Sequence, residues 1–196
     1  DGVDSQATVW VNGTWVGMAR GSRLAHEFDV TGAVRPGLNR ITVRVHQFSA
    51  GSYLEDQDQW WLPGIFRSVS LRHLTDGAIE DLWVDTDYEA GVGYVTIEAR
   101  VLGAQEAHLS GHLSIDGLWS FACSLERGDD GRYRSGRIEV GSVRPWSAAD
   151  PALYDARVRV EGEDGLVNGV RSLRIGFRRV SIEDGVLTAN GQPLTL

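Results

Sequence analysis

Apolar residues in this chain recur at every second position and almost nowhere at helical spacing, which restricts it to strands with one buried and one solvated face. Ile41, Val43 and Val45 alternate with Thr42 and Arg44, and Val95, Ile97, Ala99 and Val101 alternate with Thr96, Glu98 and Arg100. Leu109, Gly111, Leu113 and Ile115 follow the same rule, as do Tyr154, Ala156, Val158 and Val160, then Leu173, Ile175 and Phe177. The turns agree. Asn12-Gly13 between Val9-Trp10-Val11 and Thr14-Trp15-Val16 predicts a hairpin with a two-residue primed turn. Arg35-Pro36-Gly37-Leu38-Asn39 predicts a tight turn into a strand at 40–45, and Asp116-Gly117, Asp130-Gly131, Asp164-Gly165, Asp184-Gly185 and Asn190-Gly191 punctuate the second half. The chain is expected to be all-β.

A boundary is expected near 73–78. Phe66 to Leu74 reads as a final strand, and Thr75-Asp76-Gly77 as a linker into a strand over 79–85. About seven strand-like runs follow up to Arg178, enough to close an immunoglobulin-like sandwich. The first 74 residues offer only about five, which predicts a partial jelly-roll sandwich with exposed edges whose partner strands lie upstream of Asp1. Trp83, Trp119 and Trp146 are expected to pack between sheets.

Charge and cysteine content exclude several classes. A formal charge of −8 with scattered arginines argues against a nucleic-acid partner, which demands clustered Lys or Arg. No apolar run approaches the roughly 20 residues of a membrane span, so no membrane partner is expected. Cys123 stands alone, which rules out an intrachain disulfide and suits a reducing compartment; it reads as a small buried hydrophobe.

The densest chemistry lies in Leu54-Glu55-Asp56-Gln57-Asp58-Gln59-Trp60-Trp61-Leu62-Pro63-Gly64-Ile65-Phe66-Arg67, which crowds three carboxylates and two tryptophans ahead of a Pro-Gly turn. Burial of the rings would draw the acids to a partly desolvated rim, where each needs a cation or a hydrogen-bond donor. In extended chain Asp56 and Asp58 would share one side, with Glu55 on the other. Two such oxygens with backbone carbonyls could hold sodium, calcium or magnesium; the alternative is a solvated acidic turn ahead of a strand. A glycosidase acid–nucleophile pair is not expected of Asp56 and Asp58, because two side chains on one strand serve one face of a ligand. His26, His46, His73, His108 and His112 bring no cysteine and no zinc-like spacing beyond the His108/His112 pair, and read as exposed strand residues. Neither a Gly-x-Ser-x-Gly elbow nor a phosphate-binding glycine loop is present.

These residues carry a resemblance. Asp1-Gly2-Val3-x-Ser5, Trp10-Val11-Asn12-Gly13-x-Trp15-Val16-Gly17, Ser22-Arg23-Leu24 and Glu27-Phe28-Asp29 resemble the second half of the sugar-binding jelly-roll domain of glycoside hydrolase family 2. Gly51-Ser52-Tyr53-Leu54-Glu55-Asp56-Gln57-Asp58-x-Trp60 with Gly64-Ile65-Phe66-Arg67 is similar to the large bacterial β-galactosidases of that family. Pro145-Trp146-Ser147 with Pro151-x-Leu153-Tyr154 resembles its immunoglobulin-like domain; Gly176-Phe177-Arg178 and Asn190-Gly191-x-Pro193 resemble the strand leading into its catalytic barrel. The match spans nearly the whole chain; 88–137 carries no specific motif. Trp61 and Leu62 depart from the usual residues and could reshape the subsite wall, and 124–138 looks shorter than a loop that some members extend to a neighbouring subunit.

The resemblance implies an internal piece of an enzyme that hydrolyses terminal β-D-galactosides such as lactose with retention. It implies a jelly-roll part over 1–75, an immunoglobulin-like domain over 76–180, and an entry strand over 181–196 toward a TIM barrel outside this chain. The barrel would hold both catalytic glutamates and the magnesium ligands, so no catalytic residue is expected here and the piece should be inactive alone. Asp58 matches the family aspartate that binds an active-site sodium ion and lies against the galactosyl group, with the other sodium ligands in the barrel. A homo-oligomeric, cytoplasmic parent is expected. Two other readings stay open: a stand-alone carbohydrate-binding module, and a structural immunoglobulin-type protein. A β-glucuronidase fits the 54–67 block less well.

Overall fold

A computed structural model of the chain describes residues 1–55, 57, 58, 60, 62–116, 119–163 and 167–194. The chain is all-β and divides into two compact units, Asp1–Arg72 and His73–Leu196.

The first unit contains β1 (Val3–Asp4), β2 (Gln6–Val11), β3 (Thr14–Arg20), β4 (Ile41–His46), a single helical turn α1 (Ser52–Glu55) and β5 (Gly64–Ile65). β2 is the centre of a three-stranded antiparallel sheet, β3-β2-β4, and β1 pairs with β5. The β2–β3 hairpin turns through Asn12 (φ 52°) and Gly13 (φ 85°), the primed turn that Asn-Gly favours, and a bulge follows beyond Val9. The Asn12 side chain then fastens the long β3–β4 excursion: its amide donates to Ala33 O and Asn39 Oδ1, and its carbonyl accepts from Arg40 N. Asn39 closes the Arg35–Asn39 turn by bonding Arg35 and Gly37. Ala7, Val11 and Ala19 are buried, and the Phe28 ring lies so close over Gly17 that a Cβ there would meet it at 2.6 Å.

Two expectations fail in this unit. Residues 66–74 form no strand: β5 ends at Ile65, and beyond it the segment is tied by single contacts, Phe66 N to Gly2 O, Ser68 O to the Asp1 ammonium and Arg72 to Glu27. Ile41 alternates as a core residue should, yet is half exposed on the edge strand β4, although its partner Val11 on the central strand is buried.

The second unit contains β6 (Ile79–Glu89), β7 (Val92–Val101), β8 (His108–Ile115), β9 (Trp119–Arg127), β10 (Tyr133–Arg134), β11 (Ile138–Ser142), β12 (Tyr154–Glu161) and β13 (Asn168–Ile175). A small meander follows: β14 (Val180–Glu183), β15 (Val186–Ala189) and β16 (Gln192–Pro193). The first eight strands form one continuous antiparallel path, β11-β7-β10-β9-β8-β12-β13, with β6 also on β7. Short β10 makes it continuous by pairing with β7 on one side and β9 on the other. At the far ends the path nearly closes: the Arg171 guanidinium donates to Ile79 O, and Gly169 leaves room for the Ile79 side chain.

The period-two residues are the core. Val95, Ile97, Ala99, Leu109, Leu113, Ile115, Val158, Val160 and Phe177 are buried in one cluster. Phe177 packs edge-on against Tyr154 (centroids 5.6 Å apart) and covers Gly93. Trp83 and Trp119 correct the expectation of intersheet tryptophans: they are 68% and 53% exposed, Trp83 because it falls on the outward phase of β6, whereas Trp119 shares the phase of Phe121 and Leu125 at the very start of β9 and lies against Gly141. Trp146 is half-buried beneath the Arg178 guanidinium.

Two polar arrangements support this core. Where β10 ends, Ser135 takes over its pairing: Ser135 N donates to Ile97 O, and its buried hydroxyl accepts from Ile97 N at 2.9 Å. On the outer face, Asp87 accepts from Arg179 and Arg137, and Glu89 accepts from the same two guanidinium groups. The Arg179 hydrogen bond holds the Asp87 carboxyl down at about 2, against the opposing effect of partial burial.

Ser135→Ala should lower the unfolding free energy of the second unit by about 1–3 kcal/mol in urea titration, because it strands the Ile97 N–H in the core; an unchanged midpoint would mean that this donor finds another acceptor. Asp87 is depressed below its unfolded value of 3.8, so its contribution is complete above that pH and is lost as pH falls toward about 2. Thermal unfolding of Asp87→Asn should therefore differ from the wild type near neutral pH, with the gap closing across that acid window; a gap that is constant with pH would contradict the assignment.

Candidate functional site

The 54–67 block is held at both ends by one segment, Ser22–Arg23, which lies far from it in sequence. At the near end, Gly51 O accepts from Glu55 N to form the α1 turn, and Ser52 Oγ accepts from Ser49 N. That turn aims Glu55 at Ser22, whose hydroxyl and backbone N–H donate to the two carboxylate oxygens at 2.5 and 3.2 Å. At the far end, Gly64 and Ile65 pair with Asp4 and Val3, and Arg67 donates to Arg23 O at 3.2 Å. Arg67 lies against Gly2, where the backbone takes a φ of 63° and a Cβ would stand only 2.9 Å from the arginine stem, so both the conformation and the space call for glycine. Arg23 N in turn donates to Val3 O, and Arg23 pairs with Asp4 at 3.8 Å.

Between those anchors stand Asp58 and Trp60, both exposed, Trp60 at 87%. The expected burial of the rings is thus corrected for Trp60, whose ring is open to solvent. The expected extended geometry is corrected for Glu55, which sits in a helical turn and is occupied by Ser22. Asp56, Gln59 and Trp61 lie outside the described residues, and with them the shared side of Asp56 and Asp58. Among the described residues no ion pair or hydrogen bond engages the Asp58 carboxylate. It is a solvated hard-oxygen donor on a short loop with fastened ends, suited to one ligand position on a hard cation or to a sugar hydroxyl.

The histidines behave as exposed or rim residues. His108 and His112 lie on the outward face of β8 and meet Glu163 and Glu161 at 3.2 and 3.5 Å. His26 contacts Gly21 O. No group of three or more His, Cys, Asp or Glu side chains able to hold a metal occurs among the described residues. Cys123 is half-buried beside Gly111, and burial pushes its thiol pKa up, away from thiolate chemistry. No helix among the described residues is long and apolar enough to cross a membrane. The Ser22–Glu55 clamp was not legible in the sequence, since nothing local links residues 33 positions apart.

Comparison with known proteins places this geometry in context. A β-galactosidase of Arthrobacter sp. (strain B7) is 45% identical over 192 residues, 98% of this chain and 17% of that protein. A β-galactosidase of Enterobacter cloacae is 36% identical over 209 aligned residues, 100% of this chain and 20% of that protein. The chain therefore spans a fifth or less of these relatives. Among solved structures, a β-glucuronidase of Parabacteroides merdae superposes with a TM-score of 0.75 at 19% identity, over 98% of this chain and 26% of that one. A glycosyl hydrolase family 2 member from Bacteroides cellulosilyticus DSM 14838 gives 0.74 at 21% identity, over 99% and 28%. At those identities the likeness is one of fold. Residues 1–75 match the family model described as glycosyl hydrolases family 2, sugar binding domain, and residues 77–178 match glycosyl hydrolases family 2. The chain belongs to glycosyl hydrolase family 2.

Proposed function

We propose that this chain is the non-catalytic part of a β-galactosidase that cleaves terminal β-D-galactosides such as lactose with retention, and that it shapes the galactose subsite. The observation that carries this reading is the 45% identity, over nearly the whole chain, to a protein named β-galactosidase. The β-glucuronidases enter only through fold, at 17–21% identity, which gives their substrate no comparable support. In this reading the nucleophile and the acid/base are glutamates of a barrel outside these 196 residues, together with the magnesium ligands, and 181–196 leads toward that barrel. The partners are a galactoside and the remainder of the same polypeptide, within a cytoplasmic homo-oligomer; neither nucleic acid nor membrane is one.

Asp58 is the residue that would touch substrate. Its carboxylate fits one position of a sodium site: it is a hard oxygen donor, exposed, and without an arginine partner among the described residues. Bound sodium would supply a fixed positive charge that orients galactosyl hydroxyls. The chain's own part is positional: Glu55 and Arg67 hold the loop to Ser22–Arg23, and Asp58 presents its oxygens from between them. It moves no proton.

In the full-length enzyme that carries this chain, Asp58→Asn should raise KM about tenfold or more and lower kcat, with the sodium dependence of both reduced. A variant whose kinetics match the wild type at every sodium concentration would remove Asp58 from the site. The isolated 196-residue chain should release no nitrophenol from a chromogenic β-galactoside; turnover by the pure chain would place the catalytic carboxylates within it.

A further inference from the structure

The second unit has an open groove of about 640 Å³ that the reading above does not use. It runs over the outer face of β6 and β7 and is bordered by Arg178–Ser181. Strand phase decides what it presents. Leu82 and Val84 turn inward against the core, so Trp83 and Asp85 turn outward, and the β6–β7 register sets Thr96 directly opposite Asp85. The three tryptophans of this unit differ in what they touch. Trp119 lies against Gly141, within 3.1 Å of where a Cβ would stand, and Trp146 lies under Arg178. Trp83 is the most exposed of the three and has no ring or cation partner among the described residues.

The charges around it are largely spent. Asp81 and Glu98 meet Arg132, Glu98 also meets Arg134, and Asp87 meets Arg137 and Arg179. Arg137 in turn caps the Tyr94 ring, 3.4 Å from its centroid, so Tyr94 offers no free face on that side. What remains open is one indole, one carboxylate without an ion pair among the described residues (Asp85), the Thr96 hydroxyl, and the Arg178 guanidinium, which lies over Trp146 and has no ion pair among the described residues. The lining as a whole is close to charge balance: Asp85 and Asp87 stand against Arg137, Arg178 and Arg179. Such a surface gives a polyanion or a cationic peptide little net attraction. It suits a ligand with an apolar ring face and several neutral hydroxyls, since a flat aromatic covers the C–H face and a carboxylate accepts from adjacent hydroxyls.

We infer that this groove binds a neutral oligosaccharide, one pyranose ring stacked on Trp83 with its hydroxyls bonded to Asp85 and Thr96. The inference stands on the groove alone and is independent of the part assigned to Asp58.

Calorimetric titration of the 196-residue chain with lactose, cellotetraose and β-1,4-galactotetraose tests it. At least one sugar should bind saturably, with a dissociation constant of about 1 mM or tighter. Trp83→Ala and Asp85→Asn should each weaken that binding about tenfold, Trp83→Phe should weaken it less, and Trp119→Ala should leave it unchanged. Because Trp83 and Asp85 are exposed, thermal unfolding should be the same for Trp83→Ala, Trp83→Phe and Asp85→Asn as for the wild type. Absence of saturable heat with all three sugars would overturn the proposal. So would undiminished binding by Trp83→Ala, or binding of a tri-lysine peptide or inorganic phosphate in preference to every sugar.

Discussion

The second unit depends on the requirement that backbone groups entering an apolar interior find partners. Two groups of strands, β6-β7-β11 and β9-β8-β12-β13, would each end in a row of unpaired donors and acceptors at that seam. Tyr133 and Arg134 fill it by pairing with Ala99 and Glu98 on one side and with Arg127 and Glu126 on the other. Their side chains divide the remaining work. Tyr133 points inward, fully buried, and donates its hydroxyl to Glu106 O, whereas Arg134 points outward to Glu98 and Asp130. Without that two-residue bridge the apolar faces could still collapse, but the hydrogen-bonded path around them would be broken.

The first unit is held differently. Its buried apolar side chains among the described residues are small, and polar clamps between distant segments take a larger share. Asn12 ties β2 to the excursion ahead of β4, Ser5 donates to Ser49, and Glu55 reaches Ser22. Each clamp satisfies groups that would otherwise be stranded at the rim of a thin core. The second unit inverts the proportion: a contiguous core carries it, and its ion pairs lie on the outside, where such pairs are weak individually.

Alternation was enough to identify the core residues of β7, β8, β12 and β13, because each faces one buried layer and a side-chain period of two leaves no ambiguity about which face turns in. The Asn12-Gly13 and Asn190-Gly191 turns were legible for a related reason: both residues must take positive φ, and few pairs do so without strain. Ala90-Gly91 makes the same kind of turn between β6 and β7, with Ala90 at φ 49°, and no propensity would have placed an alanine there. Trp83 misled because ring size argues for burial while strand phase decides it, and Trp83 lies on the outward phase of β6. In the acidic block, the crowded rings pointed to a partly desolvated rim, whereas Asp58 is exposed. The part of Glu55 as a fastener was not legible, since it is created by a helical turn and a serine from another segment.

That fastener also limits where the loop can be moved. A graft of residues 51–67 onto another sandwich would leave Glu55 without the hydroxyl and amide of Ser22, and Arg67 without its carbonyl at Arg23 and its bed on Gly2. The smallest portable unit is therefore discontinuous: the loop, the 22–23 corner, and the first few residues of the chain, transplanted together or not at all.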